Sequence, residues 1–191
     1  TMPVVRNYSV ASWPDESNRF ELIITYLKGG AMSEYLFKYI KIGDEIMFRG
    51  PMGIFTLPDN ILDRDIILVS TGSGVSPFRS MVNYLFENDI EFKNIKLFFG
   101  TRTQNDILYR KELEFLNRQL NNFSFHPVLS QEKWDGLEGH VHKHYLDIID
   151  NHEDKPLVYF CGWNIMIEQG RQELKSRDFQ MMKDIRVEIF G

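Results

Sequence analysis

The sequence predicts two successive regions: a β-rich segment over residues 1–60, and an α/β domain with a doubly wound parallel sheet over residues 61–191. In the first region, strand-like stretches are separated by turns that contain proline or glycine. From Asp65 onward, strands alternate with helices, beginning with the continuous apolar run Ile66–Ser70. Such a run is typical of a strand buried on both faces, and the alternation predicts right-handed crossovers between parallel strands.

Each region can be divided into elements. The strands of the first region are predicted at Val4–Ser12, Phe20–Leu27 and Glu45–Arg49, with turns at Pro14-Asp15 and Gly50-Pro51-Met52-Gly53 and a short helix at Glu34–Tyr39. The strands of the second region are predicted at Ile66–Ser70, Ile95–Gly100, Phe123–Leu129, Leu157–Cys161 and Arg186–Phe190. Its helices are predicted at Pro77–Glu87, where proline occupies the first turn, and at Asp106–Leu120, His142–Asp150 and Asn164–Arg177.

Composition narrows the class of protein. Of the 191 residues, 43% are hydrophobic and 26% charged, as in globular domains. The net charge of -5 and the lack of a dense basic run argue against a nucleic-acid partner. No apolar run approaches the ~20 residues that cross a bilayer, and no signal-peptide pattern opens the chain. The one cysteine, Cys161, permits neither an internal disulfide nor a four-cysteine cluster, so a cytoplasmic location is expected.

The ends of four predicted strands are rich in small or polar residues. They are Thr71-Gly72, Gly100-Thr101-Arg102, Ser130-Gln131 and Cys161-Gly162. Because ligands of doubly wound sheets bind at the carboxyl ends of the strands, near the switch in strand order, these four ends predict the binding crevice.

Two glycine-rich segments precede predicted helices. Gly72-Ser73-Gly74, before Pro77, would let backbone N–H groups approach a pyrophosphate at a helix N-terminus, although a plain tight turn has the same composition. The segment lacks the third glycine of Gly-x-Gly-x-x-Gly. Gly29-Gly30-Ala31-Met32-Ser33 predicts a second anion site with Ser33 as the capping residue, or a cap alone.

Other candidate residues are ambiguous when taken singly. In Arg6-Asn7-Tyr8-Ser9, strand alternation places Arg6 and Tyr8 on one face and Ser9 on the other, as in any polar strand. Cys161 has the position of a buried inert thiol. Phe190 is either a frayed core residue or a ring that stacks on a ligand. Three histidines alternate near residue 142, but no cysteine or carboxylate pattern completes a metal site, so none is predicted.

Taken together and in this order, these segments resemble the ferredoxin–NADP(H) reductase superfamily, which includes cytochrome b5 reductases and many oxygenase reductases. The resemblance covers nearly the whole chain. Arg6-Asn7-Tyr8-Ser9 is similar to the flavin motif Arg-x-Tyr-Ser/Thr, and Gly29–Leu36 is similar to the second flavin segment, together with Ile42-Gly43-Asp44 and Gly50–Gly53. The residues that the resemblance assigns to FAD are Arg6, Tyr8, Ser9, Gly30, Met32, Ser33 and Phe190. It implies that Tyr8 stacks on the isoalloxazine and that Phe190 covers it.

The resemblance also assigns the nicotinamide nucleotide. Gly72–Pro77 resembles the loop Gly-Thr-Gly-x-x-Pro with Ser73 in place of threonine, and Phe99–Arg102 followed by Asp106–Arg110 fits the family pattern. Cys161-Gly162 resembles the pair beside which the nicotinamide lies. The residues assigned to NAD(P)H are Thr71, Gly72, Gly74, Pro77, Thr101, Arg102, Ser130, Gln131, Cys161 and Gly162. The ending Glu188-Ile189-Phe190 implies that Glu188 lies near the flavin with Ser9 and Cys161.

The implied activity is electron transfer from NAD(P)H through FAD to an acceptor such as a ferredoxin, a haem protein or an oxygenase. Ser9 would support the flavin N5, Cys161 would position the nicotinamide, and Glu188 would tune polarity and relay a proton. Two alternatives remain: a reductase that uses free flavin or quinone as substrate, and a catalytically silent nucleotide-binding subunit.

The chain departs from the family pattern in two places. Where the family usually holds the 2′-phosphate of NADPH with a Ser-Arg pair, the chain has Ser130-Gln131-Glu132, which favours NADH. Arg102 or Arg110 could restore the use of NADPH. The family's flavin domain is a six-stranded β-barrel with about two or three strands before the first motif. Only five residues precede Arg6, so we expect this sequence to lack the first strands, or to bind flavin weakly.

Overall fold

The computed structural model describes residues 4–151 and 153–190, except the side chain of residue 190. The strands are β1 Ile66–Thr71, β2 Ile95–Thr101, β3 Phe123–Leu129, β4 Leu137–Glu138, β5 Leu157–Trp163 and β6 Ile185–Phe190. The helices are α1 Ala31–Lys38, α2 Ser76–Glu87, α3 Arg110–Gln119, α4 Val141–Asp150 and α5 Asn164–Lys175, with 3-10 turns at Gly72–Val75 and Gln104–Asp106. Among the described residues, no helix combines the length and the hydropathy that crossing a bilayer requires.

The six strands form one parallel sheet in the order β4-β3-β2-β1-β5-β6. The chain moves outward from β1 to β4 and then returns to place β5 on the other side of β1. The switch in strand order therefore lies between β1 and β5. This arrangement confirms the predicted doubly wound parallel sheet.

Side chains on both faces of the sheet are buried, as the continuous apolar runs predict. One face packs Leu68 and Phe99 against α2 and α3. The opposite face packs Val69 and Phe98 against α4 and α5, where Tyr145 is fully buried. Neighbouring residues of one strand thus pack into two separate cores, and the sheet lies between two layers of helices.

The prediction of strands at Val4–Ser12, Phe20–Leu27 and Glu45–Arg49 is wrong, because none of the three ranges forms a strand. Residues 4–65 contain α1 and, of the described β pairings, only the antiparallel bridge between Val10 and Leu22. Every residue from 41 to 54 is exposed. A strand is stable only when neighbours satisfy its backbone groups, and one bridge does not supply a ladder. β-type sequence alone therefore did not produce strands.

The first region nevertheless packs against the α2 side of the sheet. Ile23, Phe55 and Leu57 are partly buried against that core. The ring of Phe55 lies edge-on to Tyr159 at 5.3 Å, and the Tyr159 hydroxyl donates a hydrogen bond to the carbonyl of Thr56 at 2.8 Å. These contacts hold the end of the first region on β5.

Two details of the α/β domain differ from expectation. The helix expected from Asp106 begins at Arg110, because a 3-10 turn with a capping box between Thr103 and Asp106 comes first and Tyr109 is left-handed (φ 53°). The two-residue strand β4 was not predicted, since so short a strand leaves no periodic pattern.

Candidate functional site

The carboxyl ends of β1 and β5 lie side by side at the switch in strand order. Ser70 pairs with Cys161 across the two strands. Immediately beyond, the hydroxyl of Thr71 accepts a hydrogen bond from the backbone N–H of Trp163 at 3.2 Å. These contacts bring Thr71 to the edge of Gly162, so the two predicted strand ends meet as expected.

Gly74 lets the loop after β1 lie directly against β5. A Cβ at this position would be 2.2 Å from the carbonyl oxygen of Cys161 and 2.7 Å from the Cα of Gly162. Gly72 adopts φ 53°, a left-handed conformation that glycine tolerates best. Pro77 then stands in the first turn of α2, whose N-terminus has no side-chain cap. A loop whose backbone lies close to the neighbouring strand and leads into an uncapped helix N-terminus is suited to bind a pyrophosphate.

The ends of β2 and β3 are joined at the same edge of the sheet. The Ser130 and Gln131 N–H groups donate to the carbonyls of Thr101 and Arg102 at 2.9 and 3.0 Å, and the Ser130 hydroxyl also donates to Thr101. The Arg102 side chain is exposed and makes no hydrogen bond or ion pair with the described residues. Its guanidinium is thus free to meet an anion.

The side chain of Glu132 is already engaged. Its carboxylate accepts hydrogen bonds from the backbone N–H and the side-chain amide of Gln104, both at 2.8 Å, and these bonds lower its pKa. Arg110 donates to Glu114 at 2.7 Å and lies 5.6 Å from the Trp134 ring. Of the two arginines that could contact a 2′-phosphate, Arg110 therefore has partners, and Arg102 has none among the described residues.

Ser9, Cys161 and Glu188 come together although they are distant in sequence. The Ser9 hydroxyl donates a hydrogen bond to Glu188 Oε2 at 2.7 Å across 179 positions, and Glu188 pairs with Cys161 between β6 and β5. Cys161 is fully buried, and burial, followed by the charge of Glu188, raises the pKa of its thiol. The thiol is therefore protonated at neutral pH. It is a small, neutral contact rather than a nucleophile.

The other residues of the first flavin motif are less constrained. Arg6 is exposed, and its guanidinium donates to the carbonyl of Val5 at 2.7 Å. Tyr8 is half-buried. The backbone of Phe190 pairs with Trp163 in β6, but its ring, and with it the predicted stacking, lies outside what the structure describes.

At the second flavin segment, Gly30 is the N-cap of α1, and Met32 and Ser33 lie in its first turn. The prediction that Ser33 caps the helix is wrong. Its hydroxyl donates to the carbonyl of Leu27 at 2.8 Å and accepts from the Leu27 N–H, because the preceding loop folds back over the helix. Ser33 therefore joins the loop to the helix rather than satisfying the helix end.

Glu34 lies within this segment but was not predicted as one of its binding residues. Its carboxylate accepts hydrogen bonds from the Tyr26 hydroxyl at 2.6 Å and the Gly29 N–H at 3.0 Å. It is also paired with Lys38, and these contacts lower the pKa of Glu34 to about 2. Since Lys38 offsets its charge, the helix start remains compatible with an anion such as a diphosphate.

Sequence reasoning missed two further residues, one at these strand ends and one in α2. Trp163 follows Cys161-Gly162 and is 66% exposed, with its indole nitrogen 3.7 Å from the position of a Cβ on Gly72. Arg79, two residues after Pro77, is buried and contacts both regions of the chain. An aromatic residue directly after the Cys-Gly pair was a visible signal for Trp163, whereas nothing local distinguished Arg79 from a surface arginine.

Comparison with known proteins agrees with this geometry. Residues 1–57 match the oxidoreductase FAD-binding domain, and residues 68–172 match the oxidoreductase NAD-binding domain. The chain belongs to the ferredoxin–NADP(H) reductase superfamily. The descriptions of the two matched domains, FAD-binding and NAD-binding, agree with the flavin and the nicotinamide nucleotide that the sequence predicts.

Several relatives of this chain are longer than the chain itself. Ferredoxin–NADP reductase B of Sorangium cellulosum is 34% identical over 98% of this chain and 78% of its own length. The anthranilate 1,2-dioxygenase electron transfer component of Acinetobacter baylyi is 32% identical over 85% of this chain and 47% of its own length. The Amycolatopsis cytochrome P450 reductase superposes with a TM-score of 0.82 at 26% identity, covering 96% of this chain and 55% of the reductase. The chain thus spans about half the length of several proteins that it matches.

Proposed function

We propose that this reductase chain moves electrons from NAD(P)H through FAD to a protein acceptor, with the reaction centred on Ser9, Cys161 and Glu188. The observation that carries the proposal is the 2.7 Å hydrogen bond from Ser9 to Glu188 beside the buried Cys161 thiol. It unites a residue of the flavin motif with two residues at the end of the nucleotide-binding sheet. Two cofactors that exchange a hydride must meet at such a junction.

The domain division that we propose is 1–60 for the FAD-binding unit, as part of a β-barrel, and 61–191 for the NAD(P)H-binding unit. The matched ranges 1–57 and 68–172 support it, as do the contacts of Phe55 and Thr56 with Tyr159, which mark the junction. The proposed FAD site is completed by residues of the first unit, Arg6, Tyr8, Gly30, Met32 and Ser33, and by Phe190 of the second unit.

The three central residues have separate roles. Bound FAD would supply the chemistry that converts a two-electron donor into single electrons. The neutral Cys161 thiol supports the nicotinamide ring without attacking it, because burial raises its pKa. Ser9 holds its hydroxyl hydrogen on Glu188 and offers its oxygen to a ligand, while Glu188 can accept a proton through that hydroxyl.

The nucleotide would be bound by the ends of β1, β2, β3 and β5. Thr71, Gly72, Gly74 and Pro77 form the pyrophosphate loop, Gly162 keeps β5 open to it, and Thr101, Arg102, Ser130 and Gln131 line the far edge. We propose NADH as the preferred coenzyme, because Gln131 is neutral and Glu132 is engaged by Gln104. Arg102, which has no partner in the described chain, is the residue through which NADPH would still bind.

The electron acceptor that we propose is a ferredoxin, a haem protein or an oxygenase. Relatives of this chain include a dioxygenase electron transfer component and the glycine betaine monooxygenase reductase subunit of Pseudomonas aeruginosa, which is 28% identical over 99% of this chain. Both relatives are electron-transfer components of oxygenases by name, which supports a protein acceptor.

The test is the visible absorption spectrum of the chain with FAD, recorded anaerobically before and after NADH. Bands near about 370 and about 450 nm that bleach with NADH, and more slowly with NADPH, support the proposal. Arg102→Ala should weaken NADPH use and leave NADH use unchanged. Bound flavin that NADH does not bleach would contradict electron transfer, and turnover only with added free flavin would indicate the free-flavin reductase instead.

A further inference from the structure

Among the described residues, Arg79 makes the most hydrogen bonds between the two regions of the chain. It lies in α2 and is only 6% exposed. Its Nε and Nη2 donate to the carboxylate of Glu112 at 2.8 and 2.9 Å, and its Nη1 donates to Glu21 at 2.6 Å and to the carbonyl of Ala11 at 3.0 Å. A buried guanidinium is stable only when its donors are satisfied, so these four bonds have to form together.

Aromatic rings enclose the same guanidinium. The Tyr109 ring lies 4.0 Å from its central carbon and the Trp13 ring lies 5.3 Å away. Asn83 donates to Glu112 at 2.7 Å and so orients the carboxylate that holds Arg79. We name Arg79 with its partners Ala11, Trp13, Glu21, Tyr109 and Glu112 the Arg79 joint.

The joint connects two parts of the molecule that the chain itself separates. Ala11, Trp13 and Glu21 come from the first region, whereas Tyr109 and Glu112 come from the start of α3. Ala11 is fully buried, and its N–H donates to the carbonyl of Glu21 at 2.8 Å. The joint therefore holds the same short stretch that carries Ser9, two residues upstream.

We propose that Arg79 is a positioning residue, which holds the first region on α2 and α3 so that the Ser9 hydroxyl stays on Glu188. The catalytic part of this proposal rests on the proposed function, since Ser9 and Glu188 matter there as parts of the flavin site. Arg79 touches neither Ser9 nor Glu188. It acts through the backbone of Ala11 and through Glu21.

Arg64 provides a matched control, because it too is an arginine with several bonds. It donates to the carbonyls of Lys155, Pro156 and Lys183 and to the Asp184 carboxylate. All four partners lie in the α/β domain, before β5 and β6, and none lies in the first region. Loss of Arg64 thus tests the effect of removing a multiply bonded arginine from the fold without removing the joint.

The first experiment is hydrogen–deuterium exchange on the full chain and needs no cofactor. Arg79→Lys and Arg79→Met should raise amide exchange in peptides covering residues 8–13 and 19–24 by at least about tenfold, with β1 and β2 unchanged. Arg64→Met should instead raise exchange around residues 155–157 and 183–185. Equal acceleration across the whole chain in Arg79→Lys would overturn the proposal, because Arg79 would then be a general stabiliser of the fold.

The second experiment asks whether Arg79 acts through Ser9. Arg79→Lys, Ser9→Ala and the double variant are compared for the rate of NADH-driven flavin reduction and for the KM of NADH. In the wild-type background, Arg79→Lys should slow flavin reduction about tenfold and leave the KM of NADH unchanged. In the Ser9→Ala background, the same substitution should slow flavin reduction less than about twofold. Additive penalties would refute positioning. If the wild-type chain does not reduce flavin, the proposed function fails, and the exchange experiment still decides whether the joint holds the first region.

Discussion

Gly74→Ala tests the idea that the proposed nucleotide-binding loop depends on the close approach of its backbone to β5. The new Cβ would meet three backbone atoms of β5: the Cys161 carbonyl oxygen at 2.2 Å, the Cys161 carbonyl carbon at 2.5 Å and the Gly162 Cα at 2.7 Å. β5 is paired on both sides, with β1 and β6, so it cannot retreat. The loop itself has to move, by about 1 Å or more, to reach ordinary contact.

The size of the effect follows from this geometry. Overpacking costs about 1 to 3 kcal/mol, and contacts with fixed backbone belong at the upper end of that range. Alanine also reduces the entropy of the unfolded chain, which offsets about 0.4 to 1 kcal/mol. We therefore expect the free energy of unfolding to fall by about 2 kcal/mol. Because a 1 Å displacement disturbs a positioned ligand, we also expect NAD⁺ to bind about tenfold more weakly.

Urea unfolding followed by circular dichroism measures the first effect, and calorimetric titration with NAD⁺ measures the second. The control is Gly139→Ala, since Gly139 has φ 92° and no atom within 4 Å of its Cβ position, so only backbone strain of about 1 kcal/mol remains. A Gly74→Ala chain that unfolds at the wild-type urea concentration and binds NAD⁺ normally would refute the close-approach argument.

Three further predictions follow from buried groups. The Ser70 hydroxyl is buried and has no hydrogen-bond partner among the described residues. Ser70→Ala should therefore raise the free energy of unfolding, measured in urea, by about 1 kcal/mol. A loss of stability would contradict this prediction. Burial, followed by the electrostatic effects of Lys96 and His144, lowers the pKa of His126 from 6.5 to about 4. The unfolded chain therefore binds the proton more readily than the folded chain. The free energy of unfolding should decline as the pH falls from 6.5 to about 4. His126→Phe should flatten that part of a stability-versus-pH curve by about 1 to 2 kcal/mol, and an unaltered curve would exclude the histidine. Native Cys161 should react with iodoacetamide at pH 8 at least about a hundredfold more slowly than in the urea-unfolded chain, since burial raises its pKa; comparable rates would show an accessible thiol.

Much of the α/β domain could be predicted from local pattern. Phe123–Leu129 forms a strand with the predicted bounds, and α2 begins one residue before the predicted Pro77. Continuous apolar runs and a proline in the first turn are local signals, and the structure around them agrees with them. The glycine loop at Gly72–Gly74 was also predictable, because only glycine permits its close approach.

The first region shows the limit of such signals. Val4–Ser12 has the composition of a strand, yet only Val10 forms a described bridge, since strand formation depends on a neighbour that composition does not specify. Ser33 likewise has the sequence position of a cap, but the folded-back loop at Leu27 takes its hydroxyl.

By itself, the sequence determined the parallel sheet, the small residues at its carboxyl ends and the family to which the chain belongs, because each is encoded in short stretches. Only the tertiary structure decided which distant groups meet. The contact of Ser9 with Glu188 spans 179 positions, and Arg79 joins Ala11 to Glu112 across two regions. Such contacts are set by strand order and by the burial of a charge that needs all its partners at once, and no local pattern records either.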